Sequence, residues 1–300
     1  NDTADTADTA DTADTADPRD TGEPMLGGQN RQRLAVGSDH SCALDINDNV
    51  FCWGENNTEG WPTTPQMHLS SSVYATCSVD AEGQASCWGR CAVAECAVEA
   101  DNSYLSAVPG EDHACALTLG GGIQCWADTA GNDDPRVDHP KSVGWVGLSS
   151  QTDHSCALHE EGYLQCWGLD SIKPLLALPE TAFSQFDTGY DAESFGCGVN
   201  TNQELECWGA AGNGLLDWVP RGKYKMVATG AFVCAITVTG EIVCWNSEGD
   251  GSGPEGDNWI GVDVGKTHAC AINSDNKVQC WGDDILAVTA IPADLTVDKN

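Results

Sequence analysis

The chain has 300 residues, with 13 Lys and Arg against 46 Asp and Glu, a formal charge of −33 at pH 7. A polyanion of that size repels nucleic-acid phosphates and anionic lipid at long range, which argues against a DNA- or RNA-binding role. No apolar run approaches the roughly 18 residues of a membrane span, so no transmembrane segment is expected. Sixteen cysteines beside three methionines point to an oxidising compartment, because reducing compartments seldom hold such cysteine-rich chains unless metal is bound.

Residues 1–17 are a strict three-residue Asp-Thr-Ala repeat with no large apolar side chain. Folding it would bury nothing to offset the lost chain entropy, and closely spaced like charges keep it extended. Residues 1–29 are therefore expected to be a disordered acidic spacer and residues 30–300 a folded domain. Residues 1–24 carry eight acids and one Arg, so the remainder is still acidic, with a net charge of −26. The segment resembles the Asp/Thr/Ala spacers that follow the lipid-modified cysteine of bacterial surface lipoproteins. That resemblance implies an N-terminal lipid anchor upstream of Asn1. Asn1 is not an initiator Met and no apolar leader is present, so any signal peptide is expected to have been removed.

Fourteen cysteines fall into seven pairs, each with a separation of ten: Cys42/Cys52, Cys77/Cys87, Cys115/Cys125, Cys156/Cys166, Cys197/Cys207, Cys234/Cys244 and Cys270/Cys280. Trp follows every second cysteine: Trp53, Trp88, Trp126, Trp167, Trp208, Trp245 and Trp281. The pairs recur at a mean interval of 38 residues, a period that marks a solenoid or a propeller. In the first unit a turn-prone stretch, Asp45 to Asn49, separates two apolar runs, which is a hairpin signal. Folding about Asn47 sets Cys42 opposite Cys52, Leu44 opposite Val50 and Ser41 opposite Trp53. Strand side chains alternate, so sulfur shares one face with aliphatics and the indole takes the other, beside small residues such as Ala43. With both faces apolar, the blades are expected to stack radially, bulk against hollow.

A further strand is expected before each hairpin: Leu34–Gly37, Ser71–Ala75, Leu105–Val108, Val143–Leu148, Phe183–Asp187, Lys225–Ala228 and Trp259–Val264. The reading is an all-β, seven-bladed propeller of short three- to four-stranded antiparallel blades. Leu295–Val297 looks like an eighth copy of that strand, placed to close the ring against the first blade.

Gly37-Ser38-Asp39-His40-Ser41-Cys42-Ala43-Leu44 followed by Cys52-Trp53-Gly54 resembles the regulator of chromosome condensation repeat. The short cysteine-bearing unit is similar to bacterial secreted members, among them the β-lactamase-inhibitor propeller. The resemblance covers residues 30–300 and implies a seven-bladed propeller that binds proteins with its face loops. The family's exchange factors bind chromatin through a basic tail, whereas this tail is acidic. The plant ultraviolet-B receptor resembles this fold, but its Gly-Trp-Arg-His-Thr motif is absent here, which argues against light sensing.

The cysteine pairs could be disulfides, reduced core thiols or metal ligands. Directly opposed cysteines on antiparallel strands lie about 4.5–5.5 Å apart at Cα, within disulfide reach. Each bridge would stabilise by roughly 2–3 kcal/mol in the chain-entropy model. Zinc would need about four ligands, and the best local set is His-x-Cys plus one Cys in four units only. Disulfides are favoured. The four histidines, His40, His113, His154 and His268, are expected to be strand-end residues bonding backbone. Cys91 and Cys96 stand outside the repeat and read as a local disulfide pinning an insertion.

Trp145 and Trp259 fall in expected strands and should be packed. Trp61 and Trp218 fall in loops, where an aromatic can anchor a partner, and are the candidate partner-binding residues. No phosphate loop, zinc-protease or nucleophile-elbow motif is present, and no catalytic, metal or cofactor site is assigned. The sequence thus points to a non-catalytic, monomeric, extracellular or bacterial cell-surface protein-binding module. The alternative is a secreted enzyme acting on glycans at the propeller mouth. A guanine-nucleotide exchange factor-like regulator is a third reading, disfavoured by charge and cysteine count.

Overall fold

Each hairpin is set by its turn. The first turn residue caps the loop: Asp45 Oδ1 accepts the N–H groups of Asn47 and Asn49, both at 2.8 Å. Asp80, Asn200 and Asn273 do the same in their hairpins, while Thr118 and Thr237 supply hydroxyl acceptors and His159 a ring nitrogen. These are the Asx- and hydroxyl-type turns that polar residues build with their own backbone. The fourth turn residue takes positive φ in every hairpin: Asp48, Gly83, Gly121, Gly162, Gln203, Gly240 and Asn276. Glycine there avoids the Cβ penalty, and Asn and Asp tolerate the conformation better than other side chains do.

The computed structural model describes residues 32–55, 60–90, 98, 103–127, 134–169, 175–189, 194–210, 214–246, 253–282, 290–291 and 295. They form seven three-stranded antiparallel sheets, each built from consecutive strands. Blade 1 contains β1 (Leu34–Val36), β2 (His40–Leu44) and β3 (Val50–Gly54). Blade 2 contains β4 (Gln66–Ser71), β5 (Ala75–Asp80) and β6 (Ala85–Gly89), and blade 3 contains β7 (Tyr104–Pro109), β8 (His113–Thr118) and β9 (Ile123–Ala127). Blade 4 contains β10 (Trp145–Ser150), β11 (His154–His159) and β12 (Leu164–Gly168). Blade 5 contains β13 (Phe183–Thr188), β14 (Phe195–Asn200) and β15 (Leu205–Gly209). Blade 6 contains β16 (Tyr224–Thr229), β17 (Val233–Thr237) and β18 (Ile242–Trp245), and blade 7 contains β19 (Trp259–Val264), β20 (His268–Asn273) and β21 (Val278–Gly282).

The hairpin register is the expected one in all seven blades, with cysteine opposite cysteine and Trp opposite the residue before the first cysteine. All seven pairs are disulfides: Cys42–Cys52, Cys77–Cys87, Cys115–Cys125, Cys156–Cys166, Cys197–Cys207, Cys234–Cys244 and Cys270–Cys280. Their spacing differs from expectation, since the Cα atoms lie 4.0–4.1 Å apart, closer than the sequence-based range. The reason is their place in the ladder. Asp45 N–H donates to Asn49 O at 3.0 Å, and opposed pairs alternate from there, so Cys42–Cys52 occupies a non-hydrogen-bonded site, where strands come closest. Cys91 and Cys96 lie outside the described residues.

One strand differs from expectation. The first strand of blade 2 is Gln66–Ser71, not Ser71–Ala75. Ser72 N–H donates to Ala75 O at 2.9 Å, so 72–74 is a turn, and the polar Gln66 and His68 concealed the strand before it. Leu295 is buried between blades 7 and 1, while residues 296–297 lie outside the described residues.

The core is a cyclic series of blade interfaces. The sulfur face of blade 1 (Cys42, Leu44, Val50, Cys52) packs on Leu69 and Trp88 of blade 2. Blade 2 packs likewise on Trp126, blade 3 on Trp167, blade 4 on Trp208, blade 5 on Trp245 and blade 6 on Trp281. Cys270, Ile272 and Val278 of blade 7 then meet Leu34, Val36, Ala43 and Trp53 of blade 1, closing the ring. Trp145 and Trp259, 1 % and 5 % exposed, are packed at these interfaces as expected.

Replacing Trp88 by Ala should open a void between blades 1 and 2 and cost roughly 3–5 kcal/mol in equilibrium denaturation. The double change Cys77→Ala/Cys87→Ala should cost about 2–3 kcal/mol. A Trp88→Ala cost near zero would contradict indole-on-sulfur packing as the source of stability.

Candidate functional site

The first strand of each blade is innermost, and together these strands line a central cavity of about 290 Å³. The cystines stand back from it. The first cysteine of each pair is on the middle strand, and its partner (Cys52, Cys87, Cys125, Cys166, Cys207, Cys244 or Cys280) is on the outermost one, so these residues hold the blades and do not line the cavity. An inner edge strand leaves N–H groups without ladder partners, and those must find acceptors. Two aspartates provide them. Asp187 Oδ2 accepts Thr229 N–H from blade 6 at 2.8 Å, while Oδ1 accepts the Ser149 hydroxyl of blade 4 at 2.8 Å and Thr188 N–H at 2.9 Å. Asp263 Oδ2 accepts Val36 N–H of blade 1 at 2.7 Å and Oδ1 accepts Val264 N–H at 2.9 Å. Burial raises both carboxyls above the usual range, against the lowering effect of these hydrogen bonds. Asp263 is raised further by the charge of Asp187. Each carboxylate thus clasps its blade to the next, and the two stand together in the cavity wall.

The sequence reading missed this pair. Its trace is an Asp at the same register in two inner strands, opposite the first cysteine in each: Asp187/Cys197 and Asp263/Cys270.

At one end of the ring the histidines begin the middle strands. Three of their rings reach a hydroxyl of the following blade, a partner beyond the backbone bonding expected from the sequence. His40 Nε2 pairs with Thr76 Oγ1 at 2.9 Å, His113 Nε2 with Ser155 Oγ at 2.9 Å and His268 Nε2 with Ser41 Oγ at 2.7 Å. The hydroxyl belongs to the residue opposite the Trp. Blade 5 carries Gly196 there, because a Cβ would stand 2.6 Å from the Trp208 ring. His154 Nε2 is consequently buried without a partner. Burial, with a smaller repulsion from His113, holds His154 down to about 3. Burial holds His68 down to about 4 and, as the largest effect, His113 to about 4.

At the opposite end lie the hairpin turns. Six repeated bonds align them, each from the N–H that opens an inner strand to the preceding blade's turn: Gln66 to Asp48 O, Tyr104 to Gly83 O, Trp145 to Gly121 O, Phe183 to Gly162 O, Tyr224 to Gln203 O and Trp259 to Gly240 O. The candidate contact residues lie elsewhere, in the connections. Trp61 is half-buried against the blade 1–blade 2 interface. Trp218 ends a short 3-10 turn, Leu215–Trp218, whose Leu215 is buried, and its own ring is 56 % exposed. The structure does not bring the two together in one cluster.

Residues 32–60 and 259–284, which contain blade 1 and blade 7, match the regulator of chromosome condensation (RCC1) repeat. The resemblance to the RCC1 repeat is carried by these two segments. No curated protein matches it. Among solved structures, this propeller is similar to the CRINKLY WD40 ectodomain of the Arabidopsis thaliana receptor kinase ACR4, at 21 % identity over 84 % of this chain and 97 % of that one, with a TM-score of 0.67. The ectodomain of the Physcomitrella patens receptor kinase CR4 gives 22 % identity over 84 % and 73 %, with a TM-score of 0.69. Yeast RCC1 (Prp20), solved bound to Kap60, gives 14 % identity over 87 % and 71 %, with a TM-score of 0.51. These likenesses show a shared fold.

A buried histidine kept neutral stabilises the fold above its unfolded pKa near 6.5, and that contribution is lost as pH falls toward the folded value. The propeller should therefore lose stability between pH 7 and 4. His154→Ala, which installs the residue blade 2 carries as Ala75, should flatten that loss by on the order of 1–3 kcal/mol. Denaturant melts at several pH values check this; parallel pH profiles would contradict it.

Proposed function

We propose that this protein is an extracellular or surface-tethered binding module whose loops recognise another protein. The observation that carries the reading is a ring pinned by one cystine in each blade, with the large exposed hydrophobic side chains of the described residues confined to turns, connections and strand ends. A rigid scaffold with variable surface segments is how proteins present recognition sites. The cystines fit an oxidising compartment, and no helix among the described residues is long and apolar enough to cross a membrane. In this reading residues 1–29 are an acidic spacer that stands a monomeric propeller off its surface, on a lipid anchor if one precedes Asn1. Trp218, and separately Trp61, are contact residues in this reading, since indoles are favoured anchors at interfaces.

The glycan-enzyme alternative has one observation in its favour: two carboxyls of raised pKa in the wall of one cavity. Their oxygens are already occupied by backbone N–H groups of neighbouring blades, which supports a clasp over a proton donor.

Secreted and envelope proteins passed over the immobilised domain should yield a partner of at least micromolar affinity, weakened about tenfold or more by Trp218→Ala. Failure to find any partner would defeat the reading, as would release of reducing ends from a polysaccharide panel by the wild type but not by Asp187→Asn/Asp263→Asn. The clasp makes a separate prediction. A carboxyl raised in the fold contributes stability at low pH that is lost as pH rises through its folded pKa. Wild-type stability relative to Asp263→Asn should thus fall as pH rises from 4 to 8, measured by denaturant melts.

A further inference from the structure

We propose that the turn end of blades 3 and 4 is the docking surface of this module, and that the partner presents a cationic amphipathic segment to it. The inference rests on the binding-module reading and adds to it the working face and the chemistry of the partner.

The two ends of the ring differ. Eight large hydrophobic residues are exposed among the described residues. Six are at the turn end: Ile46, Leu119, Val143, Tyr163, Val238 and Ile260. The other two, Leu176 and Trp218, are in connections between blades. Exposed apolar residues scattered singly carry no message, but three of these are joined. Leu119 sits in the blade 3 turn, whose Gly121 O accepts Trp145 N–H at 3.0 Å, which sets that turn beside Val143 and Gly144. Val143 O accepts from His159 Nε2 at 3.1 Å, and the His159 ring stacks on Tyr163 at 4.4 Å between centroids. Trp145 lies edge-on beneath both rings, at 5.2 and 5.7 Å. Leu119, Val143 and Tyr163 are 62 %, 66 % and 44 % exposed on this fixed base.

The blade 3 turn, Leu119 to Gly122, is uncharged, whereas its neighbours are acidic. Glu82, Glu160, Glu161, Glu241 and Asp275 stand exposed at turn tips against Lys277; exposed Glu204 is paired with Lys223 at 3.0 Å. Lys141 is the exposed cation in the segment leading to Val143, where Arg136 is paired with Asp134 and Asp112. An apolar patch rimmed by carboxylates, on a chain of net charge −33, attracts a segment with aliphatic and cationic faces and repels an anionic one.

The full chain is titrated by fluorescence anisotropy at physiological salt with three labelled peptides of one length: amphipathic Lys/Leu, hydrophilic Lys/Ser and amphipathic Glu/Leu. The Lys/Leu peptide should bind well above the charge-only Lys/Ser baseline, and the Glu/Leu peptide should not bind. Leu119→Ser/Val143→Ser and Tyr163→Ala should each weaken Lys/Leu binding at least about tenfold, with unchanged circular dichroism. Glu160→Lys/Glu161→Lys should weaken it while leaving the patch intact. Lys/Leu binding that is no tighter than Lys/Ser, or that ignores the patch variants, overturns the inference. So does a concentration-dependent dimer in sedimentation that Leu119→Ser abolishes, which would make the patch a self-interface. So does binding of the wild type, but not the patch variants, to phosphatidylcholine vesicles. If a captured partner depends on Trp218 but not on Leu119 or Tyr163, the module reading stands and this one falls. If no partner and no peptide binds, both fall.

Discussion

The structure depends on one close approach. A cystine at a non-hydrogen-bonded position draws the two outer strands of each blade together and fills one face with sulfur and aliphatic carbon. The neighbouring Trp then projects from the other face, because adjacent strand residues point to opposite sides. A blade made this way has no face fit for water, and a three-stranded sheet alone is marginal. The solution is mutual: each sulfur face is covered by the next indole face, from blade 1 to blade 7 and back to blade 1. Disulfide, hairpin and ring closure are therefore a single constraint repeated.

The polar groups follow the same cyclic logic. The hydroxyl beside each Trp, where one exists, receives a histidine from the preceding blade. Inner-edge amides that no fourth strand can satisfy are taken by Asp187 and Asp263. Both devices act across blade boundaries, so they resist the ring's opening more than they stiffen any one sheet. Where the pattern lapses, at Gly196, the cost is a buried imidazole nitrogen with no partner.

How much could be read beforehand depended on distance along the chain. The hairpin register was legible because ten residues separate each cysteine from its partner and alternation does the rest. The first strand of blade 2 was not, since Gln66 stands where five other inner strands open on an aromatic, and His68 follows it. The histidine partners lie on the next blade, Thr76 for His40 and Ser155 for His113, and no local pattern joins them. Asp187 and Asp263 read as ordinary acids in an acidic chain. Leu119, Val143 and Tyr163 come from three separate segments, and only the stacking of blade 4 beside blade 3 makes them neighbours. Trp61 and Trp218 looked alike as loop indoles, yet one is folded back on the ring and the other is not.

The seam between blades 7 and 1 joins the two ends of the chain without a shared strand among the described residues. Arg33 stands at that seam, bonding Asn276 of blade 7 and the carbonyls of Leu44 and Asp45 in blade 1. Tension arriving through the N-terminal segment would thus be divided between two blades at its first folded residues. It would load side-chain contacts and Asp263–Val36 in shear instead of peeling a strand from a sheet. A propeller pulled through that segment would keep its shape until the fastening gave way.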